Sequence, residues 1–157
     1  MATAQRTFRV ARLCMLAGFA LQAAAADVEV QDAWARETLP AQNVGGVYMK
    51  LKSKAPAWLV DVESPIAKRA EIHEMRHEGD VMKMRRVDKV ELPAGREVTF
   101  SPGGLHVMLM DLQQALKPGQ NVRLTLTVER GGQRSKIPVM APVKSLAQSE
   151  TGDHRQK

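Results

Sequence analysis

Histidine and methionine recur together in three short runs, His73-Glu74-Met75, Met82-Lys83-Met84 and His106-Val107-Met108-Leu109-Met110. The chain holds nine methionines, and once Met1 and Met15 at the amino end are set aside, five of the remaining seven fall between residues 75 and 110. If these runs are strands, residues two apart share a face, so each run aims two or three nitrogen or thioether donors in one direction. Thioether sulfur is soft and imidazole borderline. A pair of each therefore selects Cu(I) over calcium, magnesium or zinc. All four donors are neutral, so the bound site keeps the single positive charge of the ion.

Turn chemistry sharpens this expectation. Glu78-Gly79 reads as a two-residue hairpin loop, with glycine supplying a positive φ. Cross-strand partners would then be His77 with Asp80, Met75 with Met82, and His73 with Met84. Opposed side chains lie ~5 Å apart at Cβ, close enough for an imidazole and a thioether to share one ion. His106 and Met108, two apart on another strand, would close the coordination from the side. Methionine at alternate strand positions is more often a flexible core filler. Hydrophobic demand, however, does not explain two histidines on the same faces. Met49 and Met140 lack histidine neighbours and are assigned to the core. His77 at the loop and His154 near the carboxyl end are assigned to solvent, Trp34 and Trp58 to packing, and Gly103 and Gly104 to a turn.

The elements that must position these donors are short strands. Turn signals recur at Gly45-Gly46, Ala55-Pro56, Ser64-Pro65, Glu78-Gly79, Pro93-Ala94-Gly95, Ser101-Pro102-Gly103-Gly104, Lys117-Pro118-Gly119 and Gly131-Gly132, leaving runs too short for most helices. From Val122 to Glu129 every even position is apolar and every odd one polar, the pattern of a half-buried strand. Further strands are expected over 28–36, 47–52, 58–63, 70–76, 81–87, 97–100, 105–111 and 135–140. Such spacing predicts an all-β antiparallel sandwich or barrel. Asp111 to Leu116 suits one helical turn, and Ser145 to Lys157 reads as a disordered tail. Aromatic residues make up only 4% of the chain, so the core must be aliphatic, with Trp34, Tyr48, Trp58 and Phe100 as scattered anchors.

The amino end reads as a secretory signal peptide: Arg6, Arg9 and Arg12 precede or flank the apolar run Leu13–Leu21, and Ala24-Ala25-Ala26 supplies small residues for cleavage after Ala26. The run is too short to serve as a membrane anchor. Arg12 beside Cys14 is out of place in a lipoprotein cleavage box. Removing residues 1–26 takes away three arginines and no acid, so the formal charge falls from +6 to +3. The remaining charges are interleaved in sign, and no basic stripe with aromatics invites nucleic acid. Cys14 is the one cysteine, so the mature domain, 27–144, lacks disulfides, a thiolate nucleophile and any Cys-based zinc, iron–sulfur or blue-copper site. No Gly-rich phosphate loop is present.

The spacing His73, ten residues, Met84, twenty-one residues, His106, one residue, Met108 resembles the His-x10-Met-x21-His-x-Met pattern of the PCu(A)C-type periplasmic copper chaperones. The surroundings are similar too: Asp32-Ala33-Trp34-Ala35-Arg36, Gly46-Val47-Tyr48-Met49, Leu92-Pro93-Ala94-Gly95, Pro102 through Met110, and Leu116-Lys117-Pro118-Gly119. The likeness extends from about Val28 to Val143. It implies a cupredoxin-like antiparallel Greek-key fold binding one Cu(I) per chain through His73, Met84, His106 and Met108. It further implies a periplasmic carrier, not an enzyme, that delivers copper to the copper-bearing subunit of cytochrome c oxidase, often beside a thiol-bearing partner chaperone. Some relatives carry a His- and Met-rich carboxyl-terminal extension linked to Cu(II), and here the tail offers only His154. Blue-copper electron transfer is excluded by the missing cysteine, and Asp27 as the expected first residue is a poor match to a copper oxygenase with an amino-terminal histidine. Copper storage or detoxification, and a metal-free β-sandwich interaction module, are the competing functions.

Overall fold

The computed structural model describes residues 27–79, 81–145 and 147. Ten strands follow in order: β1 (Val28–Arg36), β2 (Val44–Ser53), β3 (Ala57–Glu63), β4 (Ala67–Glu78), β5 (Val81–Arg86), β6 (Val90–Leu92), β7 (Glu97–Phe100), β8 (Leu105–Leu112), β9 (Asn121–Arg130) and β10 (Gln133–Lys144). The expected signal peptide with Cys14, and most of the expected tail with His154, lie outside the described residues. Among the described residues no helix is long and apolar enough to cross a membrane.

Alternation builds the core. Val122, Leu124, Leu126 and Val128 of β9 and Ile137, Val139, Ala141 and Val143 of β10 are buried, and between them the polar side chains turn outward. They meet Val47, Met49 and Leu51 of β2, Leu59 of β3, Ile72 of β4, and Val107 and Leu109 of β8. Met49 and Phe100 sit inside as expected, whereas Met140 falls on the outward parity of β10 and is 53% exposed. Trp58 likewise points outward on β3, beneath the Lys89 ammonium.

The strands run in the order β5-β4-β8-β7-β2-β1-β10-β9-β3-β6, with β8 also pairing to β2. Most neighbours are antiparallel, but the end of β10 runs parallel to β1 at Ala35–Val143 and Arg36–Lys144, and β7 touches β8 in parallel at Phe100–Leu105. β10 therefore joins two sheet halves, pairing with β9 along most of its length and with β1 at its last residues. This is the expected all-β, cupredoxin-like architecture. The sequence reading missed β6, three residues long. It also suggested a helical turn after Asp111, where instead β8 continues to Leu112 and the chain bends away, with Asp111 in the left-handed region at φ 54°.

Candidate metal site

β4 lies between β5 and β8, and its odd-numbered residues share one face with the even-numbered residues of both neighbours. Across β4 and β8 the partners are His73 with His106, Glu71 with Met108 and Arg69 with Met110. Across β4 and β5 they are His73 with Arg86, Met75 with Met84 and His77 with Met82. His73, Met84, His106 and Met108 thus all lie on one face of three adjacent strands. The expected pairing of His73 with Met84 is off by one step. Gly79, not Glu78, opens the two-residue loop, because it carries the positive φ of 64° that the first loop position of a tight hairpin requires. Glu78 stays in β4, where its carboxylate accepts hydrogen bonds from Lys83 Nζ at 2.6 Å and from Arg85. Met84 consequently opposes Met75 and stands diagonal to His73. The described part of His77 is its backbone, in β4 and not in the loop.

The two imidazoles form the centre. Their ring centroids are 6.0 Å apart and the planes are tilted by 40°. Two imidazoles bound to one ion through nitrogen bonds of ~2.0 Å would have ring centres about 5–6 Å apart, the longer value as the angle at the ion opens. Each ring is also oriented through one nitrogen. His106 Nδ1 donates to the Gly104 carbonyl at 2.9 Å, which leaves Nε2 with its lone pair. His73 Nε2 donates to Glu71 Oε2 at 3.0 Å, which leaves Nδ1 as the lone-pair nitrogen. That Nδ1 is buried and has no hydrogen-bond partner. A buried polar atom without a partner costs about 1–3 kcal/mol, and a soft cation is the group that would satisfy it.

Glu71 is the site residue that the sequence reading missed. The Glu-x-His spacing was its signal, since two residues apart on a strand means one shared face. The hydrogen bond from His73, and after it the guanidinium charges of Arg86 and Arg69, hold the Glu71 carboxyl below its ordinary value against the opposing effect of desolvation. Arg69 and Arg86 each approach Glu71 Oε1 to 3.6 Å. The carboxylate therefore orients the His73 imidazole, an arrangement that fixes the tautomer where an imidazole binds a metal. Among the described residues no three His, Cys, Asp or Glu side chains gather into a metal-holding group, so any ion here must rely on thioethers as well as imidazoles.

Exposure grades across the site. His106 is 5% exposed and Met84 49%; Met75 and Met108 are intermediate. On the far side of Met108 the partner on β2 is Gly46, and a Cβ there would come within 2.8 Å of the Tyr48 hydroxyl. Tyr48 stacks on Trp34 with ring centroids 4.5 Å apart, and the Lys144 ammonium lies 5.2 Å from the Trp34 ring centre. Trp34 and Tyr48 therefore pack on the outer face beside the site, and not in the aliphatic core.

The sequence matches the family described as "LpqE-like: Putative lipoprotein LpqE-like" over residues 28–143. A Leifsonia xyli subsp. xyli protein described as "Putative lipoprotein Lxx21020" is 29% identical over 121 residues, covering 76% of this chain and 71% of that protein. Among solved structures, apo-DR1885 from Deinococcus radiodurans is 31% identical with a TM-score of 0.59, covering 92% of this chain and 94% of that one. Its CuI form is 32% identical with a TM-score of 0.56, covering 80% and 85%. The copper-bound PCuAC domain from PmoF2 is 25% identical with a TM-score of 0.60, covering 76% and 93%.

Proposed function

This chain belongs to the LpqE-like family, which is the PCuAC family, and on that footing we propose that it is an exported copper chaperone. It carries one Cu(I) per chain, held by His73, Met84, His106 and Met108, and acts by binding and release, without turnover. The copper-bound and CuI forms of its structural relatives support the choice of metal. The lipoprotein descriptions of its family and its Leifsonia relative support export. The observation that carries the reading for this chain is His73 Nδ1, buried without a partner and set across from His106. Imidazole and thioether donors leave the ion's single charge unneutralised and bind less tenaciously than a thiolate would, which suits a cargo.

The gradient of exposure gives release a direction. Met84 stands at the solvent edge while His106 is buried. Incoming ligands of an acceptor would displace the thioether first and the imidazoles afterwards, so the ion never becomes free. The acceptor we propose is the copper centre of a respiratory oxidase, reached in the periplasm.

An anaerobic Cu(I) competition titration tests the binding, with a Met84→Ala, His106→Ala double variant alongside. One copper per chain, strongly weakened in the variant, is expected; equal binding by both would overturn the ligand set. Mixing the loaded protein with the apo copper-bearing oxidase fragment tests delivery. Copper retained by the chaperone, with the fragment still empty, would refute delivery and leave storage.

A further inference from the structure

The register that separates Met84 from His73 sets it directly against Met75. Met82, two residues before Met84 on β5, lies on the same face and diagonal to Met75. Directly opposed residues on paired strands are about 4.5–5.5 Å apart at Cβ and diagonal ones about 7–8 Å. Three thioethers thus occupy the corners of a small triangle at the outer part of the β4–β5 hairpin. Each side chain has three rotatable bonds, so the sulfurs can converge without backbone movement.

Packing does not account for these residues. All six residues of β5 are exposed, with Met82 at 43% and Met84 at 49%, and β5 ends the sheet with β4 as its single neighbour. A methionine fills gaps where a core surrounds it, as Met49 does at 1% exposure, but β5 has no core to fill. Edge strands are ordinarily guarded by charge, and here the guards Lys83 and Arg85 occupy the opposite parity, engaged with Glu78. On the face that carries the methionines the charges Arg86, Glu71 and Arg69 cluster beside His73, and the outer part toward the turn presents Met75, Met82 and Met84.

We propose that Met75, Met82 and Met84 form a second, weaker Cu(I) seat, with Met84 common to it and to the His73–His106 centre. The ion then has a stepping position between the buried imidazoles and the sheet edge. Swinging the Met84 thioether from one seat to the other moves copper outward without releasing it. The inference rests on the copper reading for the identity of the ion; the triangle itself follows from the register.

Anaerobic Cu(I) titration of the full chain carrying methyl-labelled methionine, followed by NMR, tests it. Two equivalents are expected to bind, the first moving the Met84 and Met108 methyls and the second those of Met75 and Met82 and, once more, that of the shared Met84. A Met75→Leu, Met82→Leu variant, close to volume-conserving, is expected to keep the first equivalent and lose the second. A His73→Ala, His106→Ala variant is expected to lose the first and keep copper on the triangle. Retention of the second equivalent by the leucine variant, or Met75 and Met82 methyls unmoved by copper, would overturn the second seat. Copper that moves the triangle's methyls in the wild type while the histidines stay unliganded would refute the histidine-centred function and leave the triangle standing.

Discussion

His73 and Met75 both meet the start of β8 by different means: His73 faces His106 across the strand pair, and the Met75 amide donates at 3.2 Å to the same Gly104 carbonyl that holds His106 Nδ1. One carbonyl oxygen thus fixes both the hairpin arm and the buried imidazole. The donors of β4 and β8 are aligned by backbone geometry before any ion arrives.

Removing the orienting carboxylate should weaken copper binding without harming the fold. Glu71→Ala is expected to lower Cu(I) affinity by about 10–100-fold, the usual consequence of losing a partner of a ligating histidine. Glu74→Ala, on the other face of β4, is expected to leave it unchanged. Competition against a Cu(I) chelator measures both.

The orphaned nitrogen should separate stability from binding. His73→Leu removes a buried nitrogen that lacks a partner but also the hydrogen bond to Glu71, so the two effects offset and the thermal midpoint of the copper-free protein is expected to change little, while copper binding is lost. Leu109→Ala, which empties a fully buried position, should cost about 2–5 kcal/mol. Thermal and urea unfolding of the copper-free proteins distinguish the two.

Gly46 should tolerate no side chain while Tyr48 keeps its hydroxyl. In Gly46→Ala the new methyl meets that oxygen at 2.8 Å and the ring carbon bearing it at 3.2 Å, so a loss of about 1–3 kcal/mol is expected from overpacking. Adding Tyr48→Phe should recover part of this, giving a coupling energy that a double-mutant cycle in urea would read.

Alkaline stability should depend on the same phenol. Burial raises the Tyr48 pKa above its ordinary value of 10.0, with the charge of Arg36 acting in the opposite sense. The unfolded chain therefore ionises first, and stability present below pH 10 is lost as the pH climbs from there through the folded-state value. Urea unfolding at pH 8 and above pH 10 should show this loss in the wild type and a smaller one in Tyr48→Phe.

Much of this was legible in the residues because strand parity is a strict code. The alternation in β9 and the two-residue spacing of His106 and Met108 agree with the strands they occupy, and the four proposed ligands do share a face. What failed depended on single backbone angles or on the far side of a strand. The hairpin register turned on whether Glu78 or Gly79 opened the loop, and a shift of one position exchanged His73 for Met75 opposite Met84. The lack of a histidine neighbour assigned Met140 to the core, but parity decides its side: it alternates with Val139 and Ala141, which hold the inward positions. Glu71 is not legible from donor softness, because its carboxylate faces the imidazole.

The meeting of β1 with the end of β10 makes the first and last described strands neighbours. Contacts so distant along the chain slow the search for the native topology and place folding in the millisecond-to-second range. Until residues 143 and 144 are present, the edge of β1 beyond Ala35 has no partner on that side. A chain emerging amino end first would keep that edge of β1 open until the end of β10 arrived.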